Sequence, residues 1–211
     1  MKIGVFGGSF DPVHLGHLLL AEQCLTVANL DLIKFIPAAV SPFKQDQKPT
    51  DGQLRIEMLS LAIAGHEKFE VDTLEIDRAN AENGRVEQGN VSYTVDTLIQ
   101  LKQNAPDAEL FLLMGSDSLI DFHAWKEPNR ICELATPLIA RRPPAENVDY
   151  DLLADFMDQE KLNRVKDLAF QSLQIEISST TIRNSVKEEK SIRFQTTRAV
   201  EEFIRSKQLY A

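Results

Sequence analysis

Apolar runs of strand length alternate along the chain with longer segments in which apolar residues recur every three or four positions. Such alternation marks a parallel sheet whose strands are joined by helices. KIGVFG, residues 2–7, reads as a buried first strand and 15–30 as the helix after it, while LIKFIPA, 32–38, reads as a second strand ended by Pro37 and a loop through Pro42 and Pro49. Over 51–65, Leu54, Met58, Leu61 and Ala62 share one face, which predicts a helix with Asp51 as its N-cap. FEVDTLEID, 69–77, alternates as a half-exposed strand does, and the polar stretch 78–90 reads as a loop. A helix is predicted from 92 to 103, and ELFLLMG, 109–115, is the clearest buried strand. Helix then loop follow over 116–128, and a strand over 136–142 stops at Pro143-Pro144. The acidic region 145–168 reads as partly helical, SLQIEIS at 172–178 as the last strand, and 178–188 and 197–209 as closing helices. No internal repeat or low-complexity tract interrupts the pattern. The expectation is a single domain over residues 1–211 of the α/β class, a doubly wound parallel sheet that binds ligands beyond the carboxyl ends of its strands.

Composition changes this picture little. With 211 residues, 43% of them hydrophobic, the chain can bury a substantial core in one domain. The net charge of −9, with no block of Lys and Arg, disfavours a general nucleic-acid binder, so no nucleic-acid partner is expected. A small polyanion remains open, because a few placed cations and backbone N–H groups suffice to hold one. Cys24 and Cys132 lie far apart among apolar neighbours and read as buried, reduced thiols. The glycine-broken N-terminus is no signal-peptide core, and no stretch approaches the length of a membrane span. No membrane partner and a cytoplasmic location are therefore expected.

Chemistry concentrates in GGSFDPVHLGH, residues 7–17, between the first strand and its helix. Gly7 and Gly8 allow positive φ and a close backbone approach by a ligand. Pro12 fixes the turn, and His14-Leu15-Gly16-His17 runs into the helix, whose start offers unpaired N–H groups and the positive end of a dipole. His14 and His17, three residues apart, share a face and can both donate to phosphate oxygens. The plainer alternative is a Gly-rich turn with two helix-capping histidines. Zinc is poorly served by an i, i+3 pair without a third ligand, so no metal site is expected from the protein. A second such place is IEISSTTIRNS, 175–185, where Ser179 and Thr180 open a helix and Arg183 follows one turn in. Hydroxyls there cap the helix and can contact phosphate, and the arginine can clamp a leaving pyrophosphate.

GGSFDPVHLGH resembles the G-x-F-D-x-x-H-x-G-H signature of the nucleotidyltransferases related to class I aminoacyl-tRNA synthetases, and ISSTTIR resembles their I-S-S-T-x-I-R motif. The resemblance implies a Rossmann-like fold and transfer of a nucleotidyl group to a phosphate-bearing acceptor. It implies ATP contacts at Gly7, Gly8, Ser9, Phe10, His14, Gly16, His17, Ser179, Thr180 and Arg183. Acceptors left open by the signature include phosphopantetheine, glycerol phosphate and pyridine mononucleotides. Ser41-Pro42-Phe43-Lys44, Ser92-Tyr93-Thr94-Val95-Asp96-Thr97-Leu98 and Gly115-Ser116-Asp117 followed by Trp125 are similar to segments of the bacterial nicotinate mononucleotide adenylyltransferases. That similarity implies acceptor binding by Lys44, Thr94, Gly115, Asp117 and Trp125, the last by stacking on the pyridine ring. Outside the resemblance, Lys44 reads as a surface lysine, Thr94 as an N-cap and a lone Trp as a core residue.

The sequence departs from the family pattern at Ala38-Ala39, at Arg142-Pro143-Pro144, at Lys126 and at Gln195-Thr196-Thr197. The first and third of these bear on acceptor preference. The implied reaction joins AMP from ATP to nicotinate mononucleotide, giving deamido-NAD and pyrophosphate. His17 acts near the α-phosphate, and His14, Lys44 and Arg183 act along the triphosphate. Mg²⁺ is held mainly by the ATP phosphates, and Asp11 braces the turn. Alternatives are transfer to nicotinamide mononucleotide or phosphopantetheine, and, in another class, a nucleotide-sensing protein without chemistry. A homo-oligomer stays open.

Overall fold

The computed structural model describes residues 1–40, 49–82, 91–141, 148–173 and 175–211. Among these, six strands form one sheet: β1 (Lys2–Gly8), β2 (Leu32–Pro37), β3 (Phe69–Val71), β4 (Glu109–Gly115), β5 (Ala135–Arg141) and β6 (Phe170–Gln171). Their order is β3-β2-β1-β4-β5-β6, and the pairings of β1 with β4, β4 with β5 and β5 with β6 are parallel. The order is that of a doubly wound sheet, the class expected from the sequence, with the chain changing direction across the sheet between β1 and β4. No helix among the described residues is long and apolar enough to cross a membrane.

By its packing the chain divides into two compact units. The first comprises Met1–Gly7, Leu20–Lys34 and Ser92–Gln174. Its centre is β4, buried from Leu110 to Met114, and against β5 pack α6 (Pro128–Leu134) and α7 (Gln159–Leu168). β1 must pass close to its neighbours here: a Cβ on Gly4 would lie 2.8 Å from Leu30 Cδ1 and 3.0 Å from Ile33 and Leu113. Cys24, on α1 (Leu15–Val27), and Cys132 are free and buried, as expected. Burial pushes their thiols up, to about 12 and about 11. The second unit comprises Gly8–Leu19, Phe35–Val91 and Ile175–Ala211. In it α2 (Gly52–Ile63) packs on β3 and on α9 (Arg198–Ser206), burying Met58, Leu59, Val200 and Ile204.

Four expectations are corrected. Residues 69–77 are not one strand: β3 stops at Val71 and α3 (Leu74–Glu82) follows, which also makes helix of the start of the expected loop. Asp72 Oδ1 accepts the Leu74 N–H at 3.2 Å and the Thr73 hydroxyl donates to Asp77 at 2.6 Å, so two short polar side chains cap a helix where the alternation suggested pleating. The buried face of α2 is Arg55, Met58, Leu59 and Ile63, turned away from the expected one, and Leu61 is 39% exposed. The strand expected at 172–178 is instead the short β6, two residues earlier. Ser172 donates both its N–H and its hydroxyl to the Arg141 carbonyl and Leu173 N–H turns to Gln23, which ends the ladder and leaves Leu173 61% exposed. Helix α6, not anticipated, begins with Pro128 in its first turn, where the missing N–H costs nothing.

Candidate active site

The signature loop lies at the end of β1, and from Gly8 to Leu19 it belongs to the second unit. Neither Gly7 nor Gly8 adopts positive φ; the left-handed residue is Phe10, at φ 47°. Gly8 serves that turn by lacking a side chain, because its Cβ would stand 2.9 Å from Phe10 Cζ. Phe10 is 1% exposed and packs edge-on to His17 at 5.0 Å, so it supports the histidine from the core. Gly7 is exposed, and a Cβ there would meet nothing within 4 Å, so its surroundings admit the close approach expected of a ligand.

His14 precedes α1 as its N-cap: its carbonyl accepts from the N–H groups of His17 at 2.9 Å and Leu18 at 3.3 Å. Its own N–H donates to His17 Nδ1 at 3.3 Å. This is one half of a capping box, the bond from the third helical side chain back to the N-cap N–H, with histidine in place of the usual Glu or Gln. The two rings stack at 3.6 Å with 22° between their planes. Capping and anion binding are therefore compatible roles for this pair. With Nδ1 accepting, the neutral His17 ring carries its proton on Nε2, leaving that N–H as a donor beside the first turn of α1. Gly16 makes room for the fold-back, since its Cβ would come within 3.1 Å of two His14 ring atoms.

The C-terminal third of the chain holds this loop carbonyl by carbonyl. Helix α8 (Ser179–Lys187) is capped by Ser178, whose hydroxyl accepts the Thr181 N–H at 3.1 Å. Ser179 donates its hydroxyl to the Pro12 carbonyl at 2.9 Å, and Arg183 donates Nη1 to the Asp11 carbonyl at 2.8 Å and Nη2 to Thr180 Oγ1 at 3.3 Å. Thr196 donates to the Val13 carbonyl at 2.8 Å, and Leu15 N–H to the Gln195 carbonyl at 3.0 Å. The two motifs, 160 or more residues apart, are thus brought together. Asp11 braces the turn as expected: it is 7% exposed and accepts from the Thr50 N–H at 3.1 Å and the Tyr210 hydroxyl at 2.6 Å. Sequence reading missed Arg55, which is 1% exposed and donates to the Thr50 and Ser9 carbonyls at 2.8 Å each. Its signal was a lone cation inside the stripe Met58, Leu59, Ile63. Thr196 lies in Gln195-Thr196-Thr197 and Tyr210 in SKQLY, residues 206–210, which is similar to the family's C-terminal end, but no local pattern in either stretch points to a bond with the loop.

The expected acceptor residues other than Lys44 lie in the first unit. Thr94 is the first residue of α4 (Thr94–Asn104), and the N-cap is Tyr93, so Thr94 is not a simple cap. Gly115 ends β4 and Asp117 is exposed in α5 (Ser116–Ile120). Trp125 is half-buried, its ring 5.3 Å from Phe122, and is no core residue. Lys126, one of the departures from the family pattern, bridges to Asp96 at 3.0 Å and lies 4.7 Å over the Tyr93 ring, which joins the Trp125 turn to the start of α4. Lys44 and Arg142-Pro143-Pro144 lie outside the described residues. No group of three or more His, Cys, Asp or Glu side chains suited to a metal occurs among the described residues.

The cytidylyltransferase-like family model matches residues 5–185. A probable nicotinate-nucleotide adenylyltransferase of Thermus thermophilus is 39% identical over 212 residues, covering the whole of both chains. Another, of Rhodopirellula baltica, is 37% identical over 211 residues, covering 99% of this chain and 92% of that one. Among solved structures, the Plasmodium falciparum nicotinic acid mononucleotide adenylyltransferase complexed with NaAD superposes with a TM-score of 0.71 at 18% identity, covering 99% of this chain and 97% of that one.

Proposed function

The chain belongs to the cytidylyltransferase-like family, among its nicotinate-nucleotide adenylyltransferases, and from that premise we propose how its residues carry out adenylyl transfer in NAD biosynthesis. The 5′-phosphate oxygen of nicotinate mononucleotide attacks the α-phosphorus of ATP. A phosphorus–oxygen bond forms there, the bond to the bridging oxygen of the β-phosphate breaks, and the electron pair leaves with pyrophosphate. The attacking phosphate is anionic near neutral pH, so no general base is needed. The protein's task is to align the groups and to stabilise charge on the α-phosphate and the leaving group.

The observation that carries this reading is the His14–His17 pair at the start of α1, stacked at 3.6 Å and locked by the bond from His14 N–H to His17 Nδ1. Its Nε2–H donor and the first-turn N–H groups of α1 suit the α-phosphate. Arg183 has five N–H donors, of which Asp11 and Thr180 take two, and it acts on the β- and γ-phosphates together with His14. Lys44 joins them on the strength of the resemblance alone. Mg²⁺ would be held mainly by the ATP phosphates, whose charge it would offset. Asp11, the acid nearest the histidines in sequence, already directs one oxygen to Thr50 and the other to Tyr210. Thr94, Gly115, Asp117 and Trp125 receive the acceptor, with Trp125 against the pyridine ring. The NaAD bound to the Plasmodium falciparum protein supports a pyridine dinucleotide as product.

The test is pyrophosphate release from ATP with nicotinate mononucleotide, nicotinamide mononucleotide or phosphopantetheine as acceptor. Fastest release with the acid mononucleotide is expected. Preference for phosphopantetheine, or no release with any of them, would overturn the reading.

A further inference from the structure

Asp11, the aspartate of the signature, is the hub of a buried polar cluster whose other members, Thr50, Arg55 and Tyr210, lie outside both family motifs. Its carboxylate sits inside the loop that must receive a triphosphate, where an uncompensated anion is costly to bury and repels the ligand. Two donors meet it, the Tyr210 hydroxyl at 2.6 Å and the Thr50 N–H at 3.1 Å. The Arg55 guanidinium, 1% exposed, adds a fixed positive charge nearby while tying Thr50 and Ser9 together through their carbonyls at 2.8 Å. After α9 the backbone takes left-handed conformations at Gln208, φ 52°, and Tyr210, φ 65°, to deliver the ring. Burial first, then the bond to Asp11 and its charge, push the Tyr210 phenol far above its ordinary value, so it remains a protonated donor through the neutral range. Tyr210, Thr50 and Arg55 belong to the second unit, and each bonds to the loop that carries the histidines.

We propose that Tyr210 and Arg55 are positioning residues for adenylyl transfer: acting through the Asp11 carboxylate and the Ser9 carbonyl, they hold the Ser9–His17 loop in the form that presents His14 and His17 to the triphosphate. This rests on the adenylyltransferase reading above and adds to it two side chains that need not touch substrate. A bond to a buried carboxylate is among the stronger hydrogen bonds in a protein. Its loss frees the loop exactly where nucleotide alignment is set, whereas the acceptor's own contacts are untouched.

The test is steady-state kinetics of Tyr210→Phe, which deletes one oxygen, with each substrate varied in turn and thermal unfolding measured alongside. The expected result is a fall of about tenfold in kcat/KM for ATP, with a raised KM for ATP and an unchanged KM for nicotinate mononucleotide. Val200→Ala, in the buried face of α9, lowers Tm in the same unit while deleting none of the cluster's hydrogen bonds, and should leave both KM values unchanged. Arg55→Lys keeps the charge but offers one ammonium in place of the fork that reaches two carbonyls, and it should show the same ATP-specific change. It carries the test should Tyr210→Phe not fold. Variants with a lower Tm and wild-type kinetic constants would show a purely structural cluster and overturn the proposal. A wild-type protein that releases no pyrophosphate from ATP and nicotinate mononucleotide overturns the functional reading itself, and is seen before any variant is assayed.

Discussion

Gly16→Ala is the substitution whose consequence is most closely determined by distances. The new methyl would lie 3.1 Å from both Cε1 and Nδ1 of His14 and 3.9 Å from the Ile177 carbonyl. Relief requires His14 to move by a few tenths of an ångström, and that ring is 7% exposed and stacked at 3.6 Å on His17. The strain therefore passes into the pair proposed to meet the phosphates. Overpacking of this kind costs about 1–3 kcal/mol, and alanine in place of glycine inside a helix returns about 0.5–1 kcal/mol. The net loss, centred on about 1.25 kcal/mol, corresponds to a fall in Tm of about 2–5 °C for a chain of this size. Displaced histidines should lower kcat/KM for ATP by about tenfold or more. Gly7→Ala is the matched comparison, because its methyl meets nothing within 4 Å. Its stability should stay within about 0.5 kcal/mol of wild type, so any loss of activity there reports on the approach of the ligand. Thermal unfolding and pyrophosphate release on both proteins are the assays. Wild-type Tm and turnover in Gly16→Ala would refute the reasoning.

Further outcomes follow from burial and from the acceptor residues. Cys24 and Cys132 are raised by burial to about 12 and about 11 from an ordinary 9.0. Above pH 9 the unfolded chain releases thiol protons that the folded chain keeps. Their stabilising contribution is therefore complete below pH 9 and is lost as pH rises, at about 1.4 kcal/mol per pH unit for each thiol. Urea midpoints between pH 8 and 11 should fall accordingly and fall less in Cys24→Ala; a flat profile contradicts the burial argument. Trp125 is the sole tryptophan in the chain, so its emission reports on one site. Nicotinate mononucleotide should alter it if the ring stacks on the pyridine, and Trp125→Ala should raise the acceptor KM with the ATP KM unchanged. An emission spectrum indifferent to the acceptor removes Trp125 from the site.

How much of this was legible in the sequence depended on whether short-range pattern or long-range packing decided the outcome. β4 runs from Glu109 to Gly115 as read, because an uninterrupted apolar run has no alternative to burial on both faces. The signature and the Ser178–Arg183 helix start were also legible, since each is set by residues within one or two turns. Residues 69–77 misled because apolar alternation and an Asp-Thr cap occupy the same nine positions, and the cap bonds prevailed. SLQIEIS misled because the ladder is ended by a bond from the Ser172 hydroxyl to Arg141, which lies 31 residues earlier. Arg55 and Tyr210 were out of reach for a similar reason. Their partners Ser9 and Asp11 are 46 and 199 residues away, and nothing local marks an arginine or a tyrosine as the support of a distant turn.

The central claim is that the stacked histidines at the start of α1 handle the triphosphate, and His17→Ala tests it most directly. The substitution removes a half-buried ring and the acceptor of the His14 N–H, a bond worth about 1 kcal/mol. Its circular dichroism should therefore match wild type. With ATP and nicotinate mononucleotide both saturating, kcat should fall by about 10² to 10³. A folded His17→Ala protein that turns over within a few-fold of wild type would contradict the account.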